Sequence, residues 1–223
     1  MVNISAAQWG QNLLPFDGEA VLEEGWLLPE AGAALMDELV SHLDWAQEHA
    51  RFGAKVIALP RLTAWYGDVG YAYSGVYHPP SPWPVPLARL RDRLGGPSGP
   101  EAGSGASTGP RAQRPNSVLV NYYRSGTDSM GWHSDDEPSL GHEPTIWSVS
   151  LGATRRFVLR HRVSGHKVAV DLPHGSLLVM AGACQRCWQH AVPKVARPVG
   201  PRLNLTFRVT APEPARLGGG RAG

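Results

Sequence analysis

From residue 117 onward the chain breaks into short runs with little room for a helix. Residues 117–123, 145–151, 156–161, 167–172, 176–181 and 202–209 are rich in β-branched residues or alternate apolar with polar. Gly, Pro, Asp or His-Gly punctuates them. Many short strands in so few residues point to an antiparallel sandwich or jelly roll, a mainly β, α+β fold. The last run is the sharpest. In Arg202-Leu203-Asn204-Leu205-Thr206-Phe207-Arg208 every second residue is apolar and can pack, while the alternate face is wholly polar. On an exposed strand that polar face would simply be wet. Inside a barrel mouth it would present two guanidinium forks, the side chain best suited to bidentate carboxylate binding. Asn121 and Tyr123 would share a face on another strand.

A second pattern lies within the same half. His133-Ser134-Asp135 puts an imidazole and a carboxylate two residues apart, on one face if the segment is a strand. His190 follows much later, from another strand. Two His and one carboxylate leave metal positions open, which suits a non-haem Fe(II) centre that activates oxygen. His142 and His174 sit beside Gly or Pro and read as turn residues, and His161 and His166 flank a basic loop. Cys184-Gln185-Arg186-Cys187 is a CxxC without a second cysteine pair. It could be redox-active or half a zinc site, but two loop thiols near an oxidising centre is the plainer reading.

The first half has other functions. Residues 1–59 form an N-terminal extension whose one long helix spans about 29–50. Leu35, Leu39 and Leu43 recur every four residues, with Pro29 in the first turn. Residues 60–94 are rich in aromatics, Gly and Pro and could form hairpins or a lid, with a short helix over 86–94. Residues 95–116 are Gly/Ser/Pro/Ala-rich and are expected to be a flexible insertion, and 211–223 a disordered tail. No apolar run reaches the roughly 18 residues that span a bilayer. No secretory signal is visible at the N-terminus, and two cysteines make no disulfide framework, so a cytoplasmic location is expected, nucleoid-associated in a bacterium or nuclear in a eukaryote. Charge is uneven. Residues 1–59 hold nine acids against Arg51 and Lys55, and residues 60–223 hold ten against nineteen Lys and Arg. A basic catalytic half favours a polyanionic partner.

Over roughly residues 60–209 the chain resembles the AlkB family of Fe(II)- and 2-oxoglutarate-dependent dioxygenases. The resemblance runs through Pro60-Arg61-Leu62-Thr63-Ala64-Trp65-Tyr66-Gly67-Asp68, Asn121-Tyr122-Tyr123, His133-Ser134-Asp135-Asp136-Glu137, Ser150-Leu151-Gly152-Ala153-Thr154-Arg155, His190 and the 202–208 strand. The segment after His133 is similar to the eukaryotic-type homologues that repair DNA. The CxxC before His190 departs from the family pattern.

This resemblance implies a double-stranded β-helix (jelly roll), with a flanking N-terminal helix and an aromatic nucleotide-recognition lid. It implies His133, Asp135 and His190 as Fe(II) ligands, with 2-oxoglutarate and O2 as co-substrates. Arg202 would take the distal carboxylate of 2-oxoglutarate and Arg208 would lie near its other end, assisted by Asn121, Tyr123 and Asn204. An N-methyl group would be lost as formaldehyde while the co-substrate becomes succinate and CO2. The base must be extruded or already single-stranded. Tyr73, then Trp65, would stack on it, and Asp136-Glu137 would begin base recognition. Glu137 would read the exocyclic amine of 1-methyladenine or 3-methylcytosine, and Arg155, Arg160, Arg162 and Lys167 would contact phosphates. The expected partner is alkylated DNA or RNA, met by a monomer without a membrane. The same chemistry on protein, or a cupin-like binding module without turnover, stands as the alternative.

Overall fold

The computed structural model describes residues 10–53, 55–73, 76–95 and 114–212, with the backbone alone for 51–52, 71–73 and 76–78. Most of the expected insertion and tail lie outside the described residues. In chain order the elements are β1 (Glu19–Glu23), α1 (Pro29–His42), β2 (His49–Phe52), β3 (Lys55–Ala58), β4 (Leu62–Gly67), β5 (Tyr71–Tyr73), β6 (Val76–His78), α2 (Val85–Gly95), β7 (Ser117–Tyr123), β8 (Met130–His133), β9 (Ile146–Gly152), β10 (Arg155–His161), β11 (Lys167–Leu172), β12 (Ser176–Ala181), α3 (Cys184–Cys187), β13 (Trp188–Val192) and β14 (Arg202–Arg208).

Two antiparallel sheets carry the fold. The larger has the order β1-β12-β9-β14-β7-β4, and the smaller β11-β10-β13-β8. Alternation along each strand divides the side chains between two cores. Leu203, Leu205 and Phe207 of β14 join Trp147, Val149 and Leu151 of β9 on the outer face of the larger sheet. There they pack under Leu39 of α1 and Leu87, Leu90 and Leu94 of α2. Each fully buried side chain of this kind contributes about 2 kcal/mol of hydrophobic stabilisation. Between the sheets, Ile146, Leu178 and Met180 meet Phe157, Leu159 and Trp188. The polar row of β14 faces this interior. Arg202, Thr206 and Arg208 are almost fully buried there.

Several boundaries differ from expectation. Helix α1 ends at His42, although Leu43 continues its periodicity. Backbone pairing between Ala46 and Thr63 captures the chain instead, and the Trp45 indole N–H closes the helix end on the Val40 carbonyl. Gly32 lets the helix approach His174, whose ring would collide with any Cβ there. His174 takes the Gly152 N–H on Nδ1 and contacts the Pro29 carbonyl through Nε2, so it clamps α1 to the sheet. β1 pairs with β12, and β4 pairs with β7. The segments expected as an extension and a lid therefore each supply a strand to the main sheet.

Candidate active site

His133 ends β8 and stands in register with His190 of β13. Their rings meet edge to face, 4.2 Å between centroids. Asp135 lies beyond the strand, a correction to the expectation that it shares one with His133. The backbone ladder with β13 ends at this point, and side-chain hydrogen bonds hold the chain instead. The Ser134 hydroxyl donates to the Trp188 carbonyl at 2.8 Å, and the Asp135 N–H donates to Gln185 Oε1 at 3.0 Å. Ligand-type atoms of His133, Asp135 and His190 all lie within 4.8 Å of one another.

The electrostatics keep this set ready for a cation. Burial pushes the His190 imidazole down from 6.5 to about 3, with His133 adding to the effect. Burial also lowers His133, against the opposing pull of Asp135. Burial alone would raise Asp135, but Arg208 and the two imidazoles outweigh it and hold the carboxyl below its ordinary range. Two neutral imidazoles and one carboxylate result. Arg208 Nη2 donates to Asp135 Oδ1 at 2.6 Å, while Oδ2 lies 3.8 Å from His190 Nε2. One carboxylate oxygen is thus committed to the guanidinium, and the other faces the imidazoles.

The cavity over this set is lined by Asn121, Tyr123, Asn204 and Arg208, closed by apolar Leu119, Phe157, Met180 and Val192. Arg202 lies on the same row of β14 as Asn204. Its Nη2 donates to Ser150 Oγ and Asn204 Oδ1, while Nε and Nη1 are buried without a hydrogen-bond partner. The Asn204 amide is fixed in turn by Ser148 and Thr206. Burial pushes Arg202 down to about 10, so it stays cationic at neutral pH.

A model of the 2OG-Fe(II) oxygenase superfamily matches residues 19–208. The chain belongs to the 2OG-Fe(II) oxygenase superfamily. Within it the chain is an AlkB-family member. It is 40% identical over 190 residues to the alpha-ketoglutarate-dependent dioxygenase alkB homolog 3 of Homo sapiens, covering 81% of this chain and 62% of that one. It is 38% identical over 195 residues to the DNA oxidative demethylase ALKBH2 of Homo sapiens, covering 79% and 69%. The solved structure of OsALKBH1 shares the fold, at TM-score 0.56 and 22% identity, over 85% of this chain and 97% of that one. The two sheets are thus the jelly roll of this superfamily.

The family's metal and co-substrate fit the residues of this AlkB-family chain. The triad offers two neutral nitrogens and one free carboxylate oxygen to Fe(II). The two unpartnered donors of Arg202 are the complement that a carboxylate of 2-oxoglutarate requires. Arg155 is a correction. It is 1% exposed and donates to the Ser125, Asp128 and Pro193 carbonyls, so it cannot reach a phosphate. It lies instead near the same Tyr123 ring as Arg202, at 5.6 Å against 5.3 Å. Two guanidiniums crowd one buried wall, where Arg155 disfavours the charge on Arg202.

On the substrate side the expected residues are less convergent. Trp65 is buried on β4 against Leu119, which lines the triad cavity. The backbone of Tyr73 pairs with Val76, and its side chain lies outside the described residues. Glu137 is half-buried and stands just before a short 3-10 turn, Pro138–Leu140, whose Leu140 N–H donates to the Glu137 carbonyl. Asp136 is exposed and paired to Arg162 at 2.7 Å, and Arg162 also donates to Ser134 Oγ. Arg162 is therefore a partnered cation at the surface, its side chain 38% exposed. Arg160 lies over the Trp132 ring at 4.4 Å and donates to Gln189.

Two further residues bear on the triad. Arg61 is 2% exposed, donates from Nε to Asn121 Oδ1 at 2.8 Å, and bears on the His133 imidazole. Gln185 fixes the Asp135 backbone from between two cysteines. Burial pushes the Cys184 thiol up to about 12, which makes it a poor nucleophile.

Proposed function

We propose that this chain is an Fe(II)- and 2-oxoglutarate-dependent dioxygenase that removes N-methyl groups from bases of alkylated DNA. The observation that carries the reading is the pairing of an open His133–Asp135–His190 set with Arg202, a buried cation holding two unused donors. The names of the relatives, one a DNA oxidative demethylase, support the substrate class.

In this reading His133, Asp135 Oδ2 and His190 hold the metal, and Arg208 keeps the carboxylate turned toward it. Arg202 takes the distal carboxylate of 2-oxoglutarate, steadied by Asn204 and flanked by Tyr123. The bound metal and co-substrate supply the oxidising chemistry, with the cavity's apolar side chains excluding water around it. Each turnover converts one 2-oxoglutarate and one O2 to succinate and CO2, and the N-methyl group leaves as formaldehyde. An extruded methylated base, cationic as 1-methyladenine or 3-methylcytosine, is stacked by Tyr73 or Trp65 and read by Glu137. Arg160 and Lys167 of the smaller sheet meet the backbone phosphates. The chain acts as a monomer.

The test is formaldehyde and succinate release with Fe(II), 2-oxoglutarate and oligonucleotides carrying 1-methyladenine or 3-methylcytosine, in DNA and in RNA. Release that survives His133→Ala would sink the metal assignment. Preference for RNA would move the substrate while leaving the chemistry.

A further inference from the structure

A second group of metal-ligand side chains lies apart from the triad, and the dioxygenase reading does not use it. Asp17, His161 and Cys187 bring a carboxylate oxygen, an imidazole nitrogen and a thiol sulfur within 4.8 Å of one another. They come from three separate segments: the loop before β1, the end of β10, and the end of α3. His161 faces Trp188 in register, while His190 is two residues, about 7 Å, further along β13. We propose that Asp17, His161 and Cys187 bind a second divalent transition metal of the Zn2+ class, which staples the N-terminal loop to the smaller sheet.

The geometry is close to what such an ion needs. Tetrahedral zinc with N, O and S ligands places its ligand atoms about 3.3 to 3.7 Å apart. Asp17 Oδ2 and His161 Nε2 are already 3.3 Å apart. A carboxylate and a thiolate together balance the ion's charge, and sulfur with imidazole selects a borderline-soft metal. His161 is 7% exposed, and its Nδ1 lies 3.0 Å from Ser164 Oγ. In the metal-free ring Nδ1 also accepts the Ser164 N–H at 3.1 Å, so the ring proton sits on Nε2 toward Asp17; a metal at Nε2 would move that proton to Nδ1, where the Ser164 hydroxyl can accept it. His166 is exposed and packs on Phe16 and Trp188, the two rings that also flank His161. The three side chains leave the fourth position of a tetrahedral ion open.

The loop is built to aim Asp17. The Asn12 side chain bonds the Leu14 and Ala20 N–H groups and the Gly18 carbonyl. Trp188 Nε1 donates to the Phe16 and Asp17 carbonyls. Asp17 itself adopts a left-handed φ of 52°. Gly18, at φ +132°, lies so close to Cys184 that a Cβ would meet its backbone nitrogen at 2.6 Å. Without a metal, the same residues amount to an Asp17–His161 contact of 3.3 Å beside a thiol.

Cobalt substitution of the full chain separates these cases, because a cobalt–thiolate bond adds a near-ultraviolet charge-transfer absorption that a His/carboxylate site lacks. The expected result is two Co2+ equivalents with that absorption. His133→Ala keeps the absorption and loses one equivalent. Cys187→Ser and His161→Gln lose the absorption and keep the triad's equivalent, while Cys184→Ala keeps both. Zn2+ should also slow alkylation of Cys187 in the His133→Ala chain. A wild-type chain without the absorption, or absorption that persists in Cys187→Ser, overturns the site and leaves the Asp17–His161 contact alone. Should Cys187→Ser fail to fold, His161→Gln and the alkylation rate decide alone.

Discussion

Arg208 and Asp135, 73 residues apart in sequence, form a buried ion pair of 2.6 Å in which each side chain is 3% exposed. The guanidinium occupies one carboxylate oxygen and leaves the other for the imidazoles. Removing it strands a buried charge. Arg208→Met is expected to lower the stability of the metal-free chain by about 3 to 5 kcal/mol and to weaken Fe(II) or Co2+ binding. Urea unfolding and Co2+ titration check both, and unchanged metal affinity would contradict the role given to Arg208.

Arg202 behaves oppositely. Its Nε and Nη1 are buried and unused in the ligand-free chain, a cost that Arg202→Met removes. Stability of the ligand-free chain should stay level or rise. Affinity for 2-oxoglutarate should fall by about 30-fold or more, the effect of losing one side of a buried charged pair. Calorimetric titration of 2-oxoglutarate into the Mn2+-loaded protein reads the second effect, and thermal unfolding the first.

Gln185 holds the Asp135 backbone and touches no ligand position itself. Gln185→Leu leaves that N–H without its acceptor and should weaken metal binding about 10- to 100-fold, the usual cost of an outer-shell loss. Binding of 2-oxoglutarate at saturating metal should be unchanged. A variant that binds Co2+ like the parent would show that the loop is held elsewhere.

The pH response follows from His190. Its imidazole titrates near 6.5 when unfolded and near 3 when folded. As pH falls below 6.5 the unfolded chain takes up a proton that the folded chain refuses, so stability of the metal-free protein declines between pH 6.5 and 3. Asp135, held low by Arg208, adds a loss in the same direction at the acid end. Urea midpoints across that range should fall, and His190→Asn should flatten the fall.

How much of this was legible in the sequence depended on how local its cause was. The 202–208 strand could be read because alternation is a property of the strand itself, and its polar face proved to be interior. Arg155 carried the same signal, since it leads the inward row of Phe157, Leu159 and His161. Against that signal stands the usual surface placement of arginine. The end of α1 was not legible, because Leu43 keeps the helical period while pairing with Thr63 redirects the chain. Asp135 leaves its strand for a glutamine 50 residues away, which no local pattern announces. β8 has four residues, one of them Gly131, too few to show a period.

The most direct measurement is stoichiometry. With Fe(II), 2-oxoglutarate and a DNA oligonucleotide carrying 1-methyladenine, formaldehyde and succinate should appear together in equal amounts, and both should vanish in His133→Ala. Succinate without formaldehyde would keep the co-substrate chemistry and remove the methylated base as its target. Neither product, from a chain that still binds metal and 2-oxoglutarate, would contradict the account.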